Sequence, residues 1–252
     1  VIATKFGLTF DKPDEAGLHA LVSDARPATI RHSVEESLRR LCTDRIDLYY
    51  QHRIDPKVAP EEVAEVMAGL IREGKILHWG ISEATEEYLR RAHRVCPVAA
   101  IQNRFSMMAR WHEALLPVCE ELGIGFVAHS PLANGLLTNR YTAGMAFDPV
   151  TDYRASMPQY RPESFEKNRA LFSLLERLAD RYRATASQIS LAWMMNKRPP
   201  IVPIPGTRRL FRLKENIGAA DIHLTGEEVR AIDMALESME MSEVFGGSSI
   251  KR

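Results

Sequence analysis

Residues 45–81 read RIDLYYQHRIDPKVAPEEVAEVMAGLIREGKILHWGI, and this stretch decides the fold class. Its two ends, Arg45–Tyr50 and Lys75–Ile81, are apolar runs without strict alternation, the pattern of strands buried on both faces. Between them Val63, Met67, Leu70 and Ile71 recur at helical spacing after Pro60, a residue suited to a first helical turn. Gly74 is placed to end that helix. Strand, helix and strand in this order make a parallel βαβ unit.

The same alternation extends in both directions. Further strand-like runs are Val1–Thr4, Val98–Ile101, Ile124–Ala128 and Pro200–Ile204. Helical spacing joins Ile30, Val34, Leu38 and Leu41 after Pro27, and a helix is predicted from near Thr85, with Glu86 and Glu87 at its positive end. Others are predicted over Glu113–Leu122, Asn168–Tyr182 and Arg208–Gly218. Thr185-Ala186-Ser187-Gln188 and Thr225-Gly226-Glu227-Glu228 are capping boxes that open two more. No composition break interrupts the pattern, so a single α/β domain over residues 1–252 is expected. An open doubly wound sheet would usually carry a Gly-rich first turn, and no G-x-G-x-x-G follows any strand. A (β/α)8 TIM barrel is the better fit. Its eight strands exceed the six runs found, and the chain opens without Met inside a strand-like run. Two βα units, roughly 60 residues, are therefore expected upstream of Val1.

Composition narrows the function. Lys plus Arg and Asp plus Glu are equal at 33 each, so no global field draws nucleic acid or an anionic membrane, and neither is expected as a partner. No apolar run approaches the roughly 18 residues of a membrane span. Val1-Ile2-Ala3-Thr4-Lys5 lacks the basic and apolar regions of a signal peptide. Cys42, Cys96 and Cys119 are far apart and form no CxxC or Cys/His cluster, which points to buried thiols in a reducing cytoplasm and to no metal site.

In α/β barrels the active site lies where strands end. Those positions hold Lys5, His52, Ser82-Glu83, Gln102-Asn103, His129-Ser130 and Gly206-Thr207, a polar or backbone-donating residue at each of six apolar strands. Ile204-Pro205-Gly206-Thr207-Arg208-Arg209 opens the helix after the last strand, where free backbone N–H groups and two arginines suit a phosphate.

With these residues in view, the sequence resembles the aldo-keto reductase family. The resemblance is carried by Thr4-Lys5-Phe6-Gly7, Ile46-Asp47-Leu48-Tyr49-Tyr50-Gln51-His52-Arg53, Gly74-Lys75-Ile76, Gly80-Ile81-Ser82-Glu83, Ile101-Gln102-Asn103, Ser130-Pro131-Leu132 and Ile204-Pro205-Gly206-Thr207, running on through Arg212 to Glu215-Asn216. It implies NADPH-dependent reduction of a small-molecule carbonyl, with hydride passing from the nicotinamide to the carbonyl carbon. It places the catalytic lysine at Lys5 and the catalytic histidine at His52. Ser82, Glu83 and Gln102 fall at the nicotinamide carboxamide, His129 at the position that stacks on the ring, and Ser130 and Leu132 along the pyrophosphate. Gly206, Thr207, Arg208, Arg212, Glu215 and Asn216 would hold the adenosine and its 2′-phosphate.

The sequence departs from the family pattern in four places. Position 83 is often Asn, position 129 often Tyr and position 206 sometimes Lys. The aspartate and tyrosine that complete the family's proton relay have no matching stretch in the chain. His52 to Pro56 looks like a subgroup acting on small aldehydes, pyridoxal included. Other barrels of the family are NADPH-binding regulatory subunits, such as those of potassium channels, where Asn replaces the histidine; His52 favours an enzyme. The substrate pocket is expected in the loops Leu8–Ala25 and Ala133–Pro162, with Phe6, Trp79 and Trp111 open between pocket and core. Neither the physiological substrate nor the oligomeric state is legible.

Overall fold

Each of the six apolar runs forms a strand. The computed structural model describes residues 1–10 and 20–246. In chain order the elements are β1 (Ala3–Phe6), a short hairpin of β2 (Leu8–Phe10) and β3 (Leu21–Ser23), α1 (Pro27–Leu41), β4 (Ile46–Gln51), α2 (Pro60–Arg72), β5 (Ile76–Ser82), α3 (Glu86–Val95) and β6 (Ala100–Arg104). There follow α4 (Leu116–Leu122), β7 (Gly125–His129), α5 (Pro162–Lys167), α6 (Arg169–Tyr182), α7 (Ala186–Met195), β8 (Ile201–Pro203), α8 (Leu210–Ile217) and α9 (Gly226–Ser238). The main sheet runs β1-β4-β5-β6-β7-β8, in the order of the chain. The pairings β1·β4, β4·β5 and β5·β6 are parallel. A doubly wound sheet reverses its strand order at a switch point. This sheet has no reversal, which is the strand order of the (β/α)8 class.

Contacts divide the described chain into two compact units. The first comprises Val1–Asn103 and Ala114–Phe126; the second comprises Arg104–Glu113 and the chain from Val127 onward. In the first, Pro27 and Pro60 stand at helix N-termini as predicted, and Ile30, Val34, Val63, Met67 and Leu70 turn the apolar helix faces inward. Trp79 and Phe6 are core residues, and the Trp79 indole donates to the Cys96 carbonyl at 3.3 Å. In the second, Phe105 stacks on Trp193 at 5.5 Å. Lys197 is 5% exposed, yet it keeps its charge paired with Asp233 at 2.9 Å and Glu113 at 2.7 Å. The Trp193 indole donates to the same Asp233 at 2.8 Å. Burial of an ammonium without such partners would cost several kcal/mol.

Both capping boxes form, at Thr185 with Gln188 and at Thr225 with Glu228. Thr225→Ala is expected to lower stability by about 1 kcal/mol. Denaturant midpoints measure it, and an unchanged midpoint would mean that the Glu228 contacts with Tyr182 and Arg181 suffice alone.

Several expectations need correction. The Leu8–Ala25 loop holds the antiparallel β2·β3 pair. Its strands are only three residues long and half exposed, too short for periodicity to reveal; residues 11–19 of the loop lie outside the described residues. Over Glu113–Leu122 a 3₁₀ turn precedes the α-helix, which starts at Leu116-Pro117. Helix α5 was not predicted. Cys42 is exposed, because it takes the left-handed cap of α1. Trp111 is 56% exposed and belongs to no core. Among the described residues no helix is long and apolar enough to cross a membrane, and no His, Cys, Asp and Glu cluster could hold a metal ion.

Candidate functional site

Strand register assembles the first unit's candidates. Lys5 stands opposite Tyr50, Tyr50 opposite Gly80, and Gly80 opposite Ala100, one row across β1, β4, β5 and β6. Two residues further on, Ser82 stands opposite Gln102, and His52 continues β4 at the same level. With a side-chain period of two, both rows face one side of the sheet. The polar residues at four successive strand ends therefore come together.

Hydrogen bonds hold this array. The His52 backbone N–H donates to the Phe6 carbonyl at 2.8 Å. The buried Ser82 hydroxyl donates to the Gln102 carbonyl at 2.8 Å and accepts from Arg53 Nη1 at 3.1 Å. The same Nη1 donates to the His52 carbonyl at 2.7 Å. Arg53 thus ties two strand ends, a role no sequence signal marked, since it depends on a bond 29 residues away. The half-buried Lys5 ammonium lies 5.9 Å from the Tyr50 ring centroid. Burial first, then the charge of Arg53, pushes its pKa below that of an ordinary lysine. Burial pushes the Tyr50 phenol up to about 12 despite its hydrogen bond with Gln102, so it stays neutral.

The second unit carries the other candidates. A cavity of about 580 Å³ is lined by Ser130, Leu132, Gly206, Thr207, Arg208, Arg212 and Asn216, and also by Arg209, which the resemblance did not assign. That volume lies within the range of small-molecule sites. At the start of α8 the Thr207 hydroxyl accepts the Arg209 N–H at 3.1 Å. Beyond it the Arg212 N–H donates to the Arg209 carbonyl at 3.0 Å, and the amides of Leu210 and Phe211 come before any intrahelical acceptor. Glu215 does not line the cavity; its carboxylate instead accepts from Arg212 Nη1 at 2.5 Å. Burial works to raise the Glu215 pKa, but the hydrogen bonds from Arg212 and Thr185 and the charge of Arg140 hold it below the ordinary range. His129 ends β7, half-buried, with Nδ1 3.4 Å from the Ser130 hydroxyl.

Left-handed backbone marks the loops after β5 and β7. Glu83 has φ 56°, and Ser130, Ala133 and Asn134 have φ between 48° and 59°. Such conformations cost an L-residue about 1–2 kcal/mol, least for Asn, and they gather where strain serves a site. The Asn common at position 83 in the family has a physical reason here: the position is left-handed. The dipeptide Asn134-Gly135, a turn former, lies in the second of these loops.

Comparison with known proteins places the chain among relatives. Residues 1–237 match the Aldo/keto reductase family. Aldo-keto reductase str7 of Strobilurus tenacellus is 39% identical over 244 residues, covering 95% of this chain and 69% of the relative. Probable aldo-keto reductase 1 of Glycine max is 35% identical over 247 residues, covering 98% and 68% respectively. Among solved structures, the glycerol dehydrogenase of Gluconobacter oxydans superposes with a TM-score of 0.84 at 30% identity, covering 98% of this chain and 75% of its own.

Proposed function

The chain belongs to the aldo/keto reductase family and is an oxidoreductase, and from that premise we propose that it reduces aldehydes or ketones to alcohols with NADPH. The observation that carries this reading is the array of Lys5, His52, Ser82 and Gln102 at the ends of four adjacent strands.

The donor set suits a nicotinamide dinucleotide. Ser82 and Gln102 are buried polar groups fit to read a carboxamide. The Ser82 hydrogen is already committed to the Gln102 carbonyl, so its oxygen serves as an acceptor. Glu83 adds a neighbouring polar group, and His129 offers a flat ring. Ser130, Leu132, Gly206 and Thr207 bring backbone and hydroxyl donors to the second unit's cavity, where Arg208, Arg212 and Asn216 suit an adenosine 2′-phosphate. Glu215 orients Arg212 rather than touching the nucleotide. When bound, the cofactor supplies the hydride.

The chain's own residues supply orientation and charge. His52 hydrogen-bonds the carbonyl oxygen and fixes its direction. Lys5 places positive charge near the oxygen as negative charge grows there, and its lowered pKa makes it a readier proton partner than a solvated lysine. The relay's aspartate and tyrosine match no stretch of the sequence, so no proton donor to the oxygen is assigned to this chain. Small polar substrates are the reading that agrees with the glycerol dehydrogenase named among its structural neighbours. The balanced charge and the cysteine pattern agree with a cytoplasmic enzyme that takes neither nucleic acid nor membrane as a partner.

Two measurements test the reading. Carbonyl-dependent oxidation of NADPH by the native protein is expected; tight cofactor binding without turnover would mark a regulatory subunit instead. Fluorescence titration should give NADPH at least a tenfold tighter affinity than NADH, about 1.4 kcal/mol from charge-assisted contacts to the 2′-phosphate. An Arg208→Ala/Arg212→Ala double variant should lose that preference. Equal affinities in the parent, or an undiminished preference in the variant, would refute the cofactor assignment.

A further inference from the structure

Two side-chain amides of the second unit, Gln159 and Asn168, are completely buried, and both hold the same stretch of chain. Residues 239–246 follow α9 and form neither helix nor strand. Asn168 grips Ser242 twice: its Oδ1 accepts the Ser242 N–H and its Nδ2 donates to the Ser242 hydroxyl, each at 2.9 Å. Gln159 Oε1 accepts the Phe245 N–H at 2.9 Å. The Phe245 ring packs against Tyr153, with centroids 6.3 Å apart, and the Arg104 guanidinium lies over it at 5.7 Å. Side chains thus hold this segment where a strand would use a backbone ladder.

The other end of Gln159 reaches the cavity of the same unit. Its Nε2 donates to the Ala133 carbonyl at 3.4 Å and, more weakly, to Met157 Sδ at 3.5 Å. The neighbouring Tyr160 hydroxyl donates to the next carbonyl, that of Asn134, at 3.0 Å. Ala133 and Asn134 are both left-handed, with φ 48° and 59°, a turn that keeps its shape only because its surroundings hold it. Leu132, Asn134 and Gly135 line the cavity, so a molecule bound there touches this turn directly. Asn134 Nδ2 also donates at 3.1 Å to the Tyr153 hydroxyl, and the Tyr153 ring is the one that meets Phe245. The Gln159 amide and the Tyr153 ring therefore both join the cavity wall to Phe245. Tyr153 is 64% exposed and can exchange its partner for solvent. Gln159 is 0% exposed, so its two ends move together.

We propose that Gln159 is a positioning residue that couples residues 239–246 to the cavity: a bound dinucleotide steadies the turn at Ala133 and Asn134, and the Gln159 amide carries that restraint to Phe245. The inference rests on reading the cavity as the cofactor site. Such coupling is reciprocal, so loosening Phe245 weakens cofactor binding by the factor by which the cofactor steadies Phe245. Phe245 does not line the cavity, so the loss of a wall contact would not explain that weakening.

Amide hydrogen exchange of the native protein, with and without saturating NADPH, tests the coupling. NADPH should slow exchange over residues 240–246 by about fivefold or more. Gln159→Met keeps the side-chain length and deletes both hydrogen-bonding ends; it should still bind NADPH but lose most of that slowing. Phe245→Pro removes the N–H donor from a segment outside the core, so it decides the matter even where Gln159→Met does not fold. It should bind NADPH about fivefold or more weakly than the wild type. In it the Gly135 and Leu137 amides should also exchange faster, although their own acceptor, the Leu132 carbonyl, is untouched. Unchanged exchange over residues 240–246 in a protein that binds NADPH overturns the proposal. So does full slowing in Gln159→Met, or undiminished affinity in Phe245→Pro. A wild type that binds no NADPH would sink the cofactor reading instead. The ligand-free comparison then decides the coupling: faster exchange at Gly135 and Leu137 in Phe245→Pro supports it, and an unchanged rate overturns it.

Discussion

Replacing His52 with glutamine is expected to lower turnover by roughly one to three orders of magnitude, the cost of losing one oriented donor at a developing oxyanion. The backbone at this position is held from two sides, by the N–H bond to Phe6 and by Arg53 on the carbonyl. The imidazole therefore leaves a fixed point on a strand end, whereas a glutamine amide has one more rotatable bond and a different reach. Because the interaction strengthens as the oxygen gains charge, kcat and kcat/KM should fall together. Cofactor affinity, set by other residues, should hardly move. Wild-type turnover of small aldehydes by the variant would show that the carbonyl sits elsewhere.

Gly80→Ala is expected to destabilise the protein by about 1–3 kcal/mol, the usual cost of overpacking a well-filled core. A Cβ at this position would lie 2.4 Å from Tyr50 Cε1 and 2.6 Å from the Ala100 carbonyl oxygen. The carbonyl is part of the neighbouring strand and cannot swing away. The Tyr50 ring is itself 1% exposed, so its retreat would push into packed neighbours. Tyr50 lies between Lys5 and Gln102, and any retreat is transmitted to both. Reductase activity should therefore drop more than the loss of folded protein explains. Chemical denaturation and kcat measured on the folded fraction separate the two effects. A variant with an unchanged midpoint would mean that the row across β4, β5 and β6 is looser than described.

Much of this protein was determined by its sequence alone, and the reason is range. Strand and helix periods, Pro27 and Pro60 at helix starts, and the Thr185 and Thr225 capping boxes involve residues within a few positions of each other. Their physics is complete before any tertiary contact forms. The order of motifs added the strand-end candidates, since each is simply the residue at which an apolar run stops. Tertiary structure decided what those candidates touch. The bond of Arg53 to Ser82, the Tyr50 ring over a residue without Cβ, and the left-handed turn at Glu83 are not written in any local pattern. The Arg53 bond to Ser82, across 29 residues, and the Tyr50–Gly80 contact join different strands, and strand register, fixed by which faces bury their apolar side chains, chooses such partners. Sequence thus set which groups are available for chemistry, and packing set which of them stand together at one group of strand ends.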